Sequence, residues 1–160
     1  MIREFAAGDI ERVVPLLKSL HARSRYARFK PHWPTVCNVI ARLASIPSGR
    51  VLVAEHGDAI TGILIAMADE WWWSEPRVGP RFVTDLLLHS KQAGDGEAMV
   101  KDMIAWAWKV PRVVRVEIGI SSGINTDAGE RFYKSLGLNH LGPMFDLDHP
   151  KLQETQPCPA

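Results

Sequence analysis

Cysteine is nearly absent from this sequence: Cys37 and Cys158 are the only two among 160 residues, and neither has a second Cys or His at metal-ligand spacing. A disulfide framework and a zinc-finger site are thereby excluded, and reduced thiols in the cytoplasm are the expectation. Charge of one sign is lacking as well. Nineteen Lys and Arg against 18 Asp and Glu leave a formal net charge of +1, which gives no global attraction to nucleic acid or to an anionic membrane. Long hydrophobic runs are also missing. The longest, around Ile60 to Ala68, is far short of a membrane span, and the N-terminal MIREFAAGDI has no apolar stretch of signal-peptide length. Aromatic residues make up only 8%, yet six are tryptophans, and Trp71, Trp72 and Trp73 stand together.

What is present has the composition of an ordinary globular chain, 46% hydrophobic and 23% charged. At this length one domain can bury about two-thirds of the surface its unfolded chain would expose, so no staple is needed. Ile2 to Phe5 reads as a first strand. Gly8-Asp9 then offers a turn and a helix N-cap before Ile10, Val13, Val14, Leu17 and Leu20, which recur at three- and four-residue spacing. Pro15 lies within the first two turns and predicts a late start or a bend. A second helix, with Thr35 as its cap, is expected to bury Val36, Val39, Ile40 and Leu43. The connection HARSRYARFKPHWP carries Arg23, Arg25, Arg28 and Lys30 and no acid.

Val51 to Glu55 and Ala59 to Ala66 are β-rich, and His56-Gly57-Asp58 between them has turn chemistry, which predicts an antiparallel hairpin. Pro76, Gly79 and Pro80 break WWWSEPRVGP into a loop or edge before the strand Phe82 to His89. Gly94 and Gly96 separate that strand from a helix with Met99, Val100, Met103, Ile104, Ala107 and Trp108 on one face. Val113 to Ile120 reads as a near-continuous apolar strand buried on both faces. A short helix through Phe132 to Leu136 ends at Gly137 as an αL cap, and Met144 to Leu147 supplies a last strand. The polar, proline-rich residues 149–160 are expected to form a loose tail. The order β, α, α, β, β, β, α, β, α, β predicts an α/β fold, a mixed and mostly antiparallel sheet with helices on both faces.

The segment VTDLLLHSKQAGDGEAMVKDMIAWAW carries the most chemistry. Glycines between a buried strand and a helix permit a tight turn and leave unpaired amides at the helix N-terminus, where an anion such as a pyrophosphate can sit. A Gly-x-Gly turn serves equally as a plain strand-to-helix connection. Asp95 and Glu97 favour the helix dipole but oppose an incoming pyrophosphate. Asp85 lies inside an otherwise apolar strand, where an unpartnered charge is costly. It therefore has a partner or a purpose: a general base, or a carboxylate bonded to backbone or to Arg81 or Arg77.

Across roughly Ile2 to Leu147 this order of elements resembles the GNAT acetyltransferase family, and two motifs carry the likeness. Lys91-Gln92-Ala93-Gly94-Asp95-Gly96 is similar to the family's Arg/Gln-x-x-Gly-x-Gly/Ala turn, with both glycines in place and Lys91 where Arg or Gln is usual. FYKSLGL, from Phe132 to Leu138, looks like the family's tyrosine-bearing motif near the C-terminus. The family often places an Asn seven residues and an Ala four residues before that Tyr. Here Asn125 and Ala128 each stand one residue earlier, which implies one inserted residue in the preceding helix turn.

The resemblance implies a GNAT-like domain over residues 1–148 with acetyl-CoA as co-substrate. The acetyl group would pass directly to a primary amine on a small molecule or a protein, with no metal, no membrane and no nucleic-acid partner. It sets Leu87, Leu88 and His89 at the strand end against CoA. Gln92, Ala93, Gly94, Asp95, Gly96, Glu97 and Ala98 join them in the turn and helix start, and Asn125 on the pantetheine arm. Tyr133 takes the place of the phenol that protonates the departing thiolate. A GNAT-shaped binding module without catalysis and an RNA-contacting adaptor are the competing classes.

Attack on a thioester needs a neutral amine, and a free amine has a pKa near 10, so a base or a wired water must take its proton. Asp85 is the first candidate, Glu55 the second and His89 the third. No helical or strand period buries Trp71, Trp72 and Trp73 on one face, so at least one is expected exposed. A plug over the sheet edge, an acceptor-site wall and a homodimer contact are all open readings. The basic connection reads as a solvated loop or as a grip on an acidic or phosphorylated acceptor.

Overall fold

A computed structural model describes residues 1–92 and 94–142. Its elements are β1 (Ile2–Glu4), a 3₁₀ turn (Ala7–Asp9), α1 (Ile10–Arg23), α2 (Trp33–Ser45), β2 (Gly49–His56), β3 (Ala59–Glu70), β4 (Arg81–Ser90), α3 (Asp95–Ala107), β5 (Val113–Glu117) and α4 (Thr126–Ser135). The strands form one sheet in chain order. Neighbours are antiparallel except β4 and β5, which run parallel and are joined across α3. Met1–Thr126 is one compact unit holding the whole sheet; a second begins at Asp127. The expected strand Met144 to Leu147, the tail and the boundary at residue 148 lie outside the described residues.

β2 and β3 read as continuous apolar runs because both of their faces are covered. Val51, Val53, Ile63 and Ile65 pack with Val13, Leu16 and Leu17 of α1 and with Ile40 and Leu43 of α2. The alternate residues Leu52, Ala54, Gly62 and Leu64 are also buried and look to the other face. There α3 lays down Met99, Val100, Met103 and Ala107. A Cβ on Gly62 would meet Met99 Cε at 3.1 Å, so the small residue lets α3 approach. Gly49 is required more strictly, since any Cβ there would overlap the backbone carbonyl of Leu43 where β2 leaves α2. The hairpin between β2 and β3 turns at Gly57, with φ +58°.

Several expectations are corrected. Asp9 does not cap α1 with its side chain. Its carboxylate instead accepts the Ala6 N–H at 2.8 Å and two bonds from Arg3, closing the turn before the helix. α1 runs through Pro15. α2 starts before Thr35, at Trp33, with His32 as N-cap and Pro34 in its first turn, where a missing N–H costs nothing. Val39 is exposed because α2 turns only a narrow stripe inward, and Trp108 is exposed just past the end of α3. β3 runs on to Glu70, four residues past the expected end, so its acidic tip is paired strand rather than loop. β5 stops at Glu117 and is the marginal strand of the described sheet, with Val114 61% exposed; burial on both faces does not occur.

A charge network ties the first elements together. Arg3 reaches Asp9 at 2.6 Å and Glu55 at 2.6 Å, while Arg12 reaches Asp9 at 3.1 Å and Glu55 at 2.5 Å. Side-chain hydrogen bonds from Arg3 are the leading cause that holds both carboxyls down at about 2. Lowered carboxyls stabilise the fold above their unfolded pKa values, near 4, and that stability is lost as the pH falls towards 2. Arg3→Met keeps the stem and removes the guanidinium. It should lower the melting temperature by a few degrees at neutral pH and flatten the fall in stability between pH 4.5 and 2.5; an unchanged acid slope in thermal melts would rule the network out as its cause.

Candidate functional site

β4 is paired unequally on its two sides. Against β3 it is bonded from Arg81 to Ser90, but against β5 only from Arg81 to Thr84, the last pair being Thr84 with Glu117. From Asp85 to Ser90 the β5-facing edge of β4 has no partner strand among the described residues. The register on the β3 side skips one residue, because Ile65 opposes Leu87 and Ala66 opposes Asp85. Leu86 is thus a bulge, and it is half exposed. A bulge bends and twists its strand, which is the physical reason the two parallel strands part here. One bond crosses the opening, from the Gly119 N–H to Asp85 Oδ1 at 2.8 Å.

That bond gives Asp85 a backbone partner. Neither Arg81 nor Arg77 is its partner: the Arg81 guanidinium donates to the Ala68 carbonyl at 2.6 Å, and the Arg77 N–H to Glu70 at 2.9 Å. Burial pushes the Asp85 carboxyl up to about 6, partly offset by the Gly119 amide. At pH 7 it is mainly ionised yet has a far higher proton affinity than an exposed aspartate. Glu55, the second candidate base, is held by two guanidiniums and has little affinity for a proton. His89 is kept neutral, first by burial and then by Arg23 and Lys91. Its Nε2 is buried with no hydrogen-bond partner among the described residues.

The open edge of β4 leads directly into the turn. The Lys91 N–H donates to the Thr61 carbonyl at 2.9 Å, and Ser90 Oγ bonds both the N–H and the carbonyl of Gln92. Ala93 lies outside the described residues. Gly94 caps α3 with φ +85°, a left-handed conformation that glycine adopts freely, and a Cβ placed there would meet nothing. The first helical bond is from Ala98 N–H to the Gly94 carbonyl. The amides of Asp95, Gly96 and Glu97 therefore open the helix without an intrahelical acceptor. Both acids at this terminus are engaged: Asp95 by His56 at 2.9 Å and weakly by Thr61, Glu97 by Lys101 at 2.5 Å. Their opposition to an anion is correspondingly reduced. Leu87 packs its side chain against the core of α1 and α2. It can offer a ligand only its backbone.

Asn125 stands just ahead of α4 with φ +49°, in the left-handed region that asparagine tolerates better than most residues. α4 is an unbroken α-helix over the stretch where an inserted residue was inferred. Tyr133 lies on α4, half buried, its ring centroid 5.1 Å from that of Phe132, and Gly137 takes the expected left-handed conformation after it. The basic connection is folded back on itself through Ser24, and Arg25 N–H donates to the Ser122 carbonyl at 2.9 Å.

At the other end of the β4 and β5 pairing, a cleft of about 470 Å³ opens beside Thr84 and Glu117. Phe82, Arg115, Trp71 and Trp72 form its walls, with Asp69 and Glu70 at the tip of β3. Sequence reasoning missed Asp69 and Glu117. Asp69 stands beside a second acid, Glu70, and Glu117 two residues after Arg115, so neither is a lone charge in an apolar run as Asp85 is.

The mixed sheet, with its single described parallel pair bridged by a helix that a glycine turn opens, is a GNAT-like fold. Solved structures of that kind are similar to the chain over 93% of its length. An acetyltransferase from Trypanosoma brucei is 19% identical with a TM-score of 0.69 and 99% of its own chain covered. An aminoglycoside acetyltransferase from an uncultured soil metagenomic sample, in complex with trehalose, is 17% identical with a TM-score of 0.66 and 94% covered. A structure described as a transcriptional regulator from Bacillus halodurans is 18% identical with a TM-score of 0.69 and 99% covered. No protein-family model matches the sequence, and no curated protein matches it.

The raised carboxyl of Asp85 contributes stability that is complete below the unfolded value, near 4, and is lost as the pH rises through about 6. Asp85→Asn retains an acceptor for Gly119 and removes the ionisation. Its melting temperature relative to wild type should climb between pH 4.5 and 6.5 and level off above; parallel melting curves across that window would show that Asp85 ionises without cost.

Proposed function

We propose that the protein is an N-acetyltransferase that uses acetyl-CoA and passes the acetyl group directly to a primary amine. The observation that carries this reading is the alignment of the unpaired β4 edge, from Asp85 to Ser90, with the Gly94 turn and the amides of Asp95, Gly96 and Glu97. An extended ligand with amide groups along its length can add to such an edge as a strand would, and an anionic end then meets the helix terminus. Pantetheine and its pyrophosphate have those two properties in that order. Leu87, Leu88 and His89 would offer the edge, Gln92 to Ala98 the anion cradle, and Asn125 a contact to the arm. The co-substrate supplies an activated thioester.

Asp85 sits where the edge begins, and a carboxyl at about 6 accepts a proton from an attacking amine, directly or through water, better than an ordinary aspartate. Tyr133 is the proposed donor to the departing thiolate; what supports it is its place in FYKSLGL ahead of the Gly137 cap. The thiol of CoA has a pKa near that of cysteine, about 8.5, so its thiolate is already a tolerable leaving group and protonation helps only moderately.

Acetyl-CoA at millimolar concentration should raise the melting temperature of the wild-type protein, since a ligand that binds only the native state stabilises it. Gly94→Val, strained at φ +85°, should abolish that rise. No shift with wild type would overturn the reading, and free-thiol release against a panel of amines separates an enzyme from a silent binding module. Tyr133→Phe should lower kcat by about tenfold to a hundredfold with little change in acetyl-CoA affinity. Full kcat in that variant, measured where chemistry limits turnover, returns the proton to water.

A further inference from the structure

The cleft beside Thr84 and Glu117 has a composition that selects one kind of guest. Of its four charged lining residues three are acidic, and they are not equally occupied. Glu70 Oε1 accepts the Arg77 N–H at 2.9 Å and the Arg112 guanidinium at 3.2 Å, bonds that close the loop between β3 and β4. Asp69 accepts only the neighbouring Glu70 N–H among the described residues. Glu117 has Arg115 at 3.5 Å, a long contact, and Arg115 is at the same time drawn over the Phe82 ring at 5.3 Å. Asp69 and Glu117 thus keep acceptor capacity that faces the cleft.

The aromatic wall is built rather than scattered. Phe82, Trp71 and Trp73 form a continuous stack, Phe82 to Trp71 at 5.7 Å and Trp71 to Trp73 at 6.1 Å, with planes within 9° and 7° of parallel. Trp72 meets Trp73 edge-on at 4.7 Å and is itself 82% exposed. A large indole left in water at the lip of a cleft, on a stack that fixes its position, offers a π face to a guest. Carboxylates beside indole faces attract a cation twice, by charge and by the ring quadrupole.

We propose that this cleft binds a primary ammonium cation carrying a flat apolar body, the ammonium at Asp69 and Glu117 and the body on the face of Trp72, beside the edge of Trp71. The site adjoins Thr84 and Glu117, the last pair before β4 and β5 separate, so its inner end meets the place where the open edge begins. The occupant's role as acetyl acceptor rests on the transfer reading above; its binding does not.

Binding is measured on the full-length protein without acetyl-CoA, by titration calorimetry with 2-phenylethylamine, its neutral counterpart 2-phenylethanol, and spermidine, a cation with no flat body. The amine should bind at least about tenfold more tightly than the alcohol, and more tightly than spermidine, because only it satisfies both carboxylates and rings. Asp69→Asn should weaken the amine by roughly tenfold and leave the alcohol unchanged. Trp72→Ala should weaken both by about threefold or more. Both positions are exposed, so an unchanged melting temperature shows that folding is intact. Equal binding of amine and alcohol, a preference for spermidine, or an indifferent Asp69→Asn overturns the proposal. If the amine binds and no thiol is released when acetyl-CoA is added, the transfer reading fails and the cleft stands. If thiol is released with an amine KM that neither variant moves, the cleft fails and transfer stands.

Discussion

Everything at the candidate site depends on β4 having neighbours of unequal length. Its β3 side is satisfied throughout, so the strand is held in the sheet whatever happens on the other side. Its β5 side is paired, among the described residues, only up to Thr84. Had β5 continued in register, the backbone groups from Asp85 to Ser90 would be paired, and no row of donors and acceptors would be left for a ligand. The bulge at Leu86 prevents that by bending β4 where pairing stops. Asp85 then closes the throat with a single bond to Gly119, which is why a carboxylate is tolerated within an apolar strand.

The bracing of this opening starts several elements away. Arg12 of α1 holds Glu55 and also donates to the Asp58 carbonyl at 2.9 Å, fixing the end of the hairpin between β2 and β3. From that end His56 and Thr61 reach Asp95, while the Thr61 carbonyl receives Lys91. Register slips by one residue beside Thr61, since Ala54 opposes Gly62 and Glu55 opposes Ile60. That irregularity turns Thr61 away from the regular alternation and makes it available to the turn. The helix terminus is positioned by side chains from the hairpin as well as by Met99 and Met103 in the core.

Most of the fold was legible because burial leaves a period in the sequence. The stripe of α1, the two-sided runs of β2 and β3 and the helix after Gly94 all follow from residues whose partners are the core itself. Several misreadings concern residues placed by a particular side-chain partner or by strand pairing rather than by burial, and such partners leave no period. Asp9 resembles a cap until Arg3 and Arg12 are placed beside it. Val113 to Ile120 looks buried, yet Val114 is exposed and the strand ends at Glu117. In the site, Asp85 announced itself as a charge in an apolar run, and the Gly94 turn by its glycines. The cleft did not, because it needs Asp69, Trp71, Phe82 and Glu117 from three strands and a loop. No periodicity relates them.

Recognition and chemistry make opposite demands on the amine in the proposed reading. Asp69 and Glu117 favour the ammonium and so raise the amine's own pKa, whereas attack on a thioester requires the free amine. One carboxylate site cannot serve both needs well. The proposed reading divides them: the acids of the cleft lie where β4 and β5 are still paired, and Asp85 lies one residue past the last pair, with a carboxyl at about 6 that would serve as the separate proton acceptor. Acetylation then removes the charge altogether. A neutral amide loses its attraction to Asp69 and Glu117 and keeps only its contact with the indoles, so the charge that draws the substrate in does not hold the product.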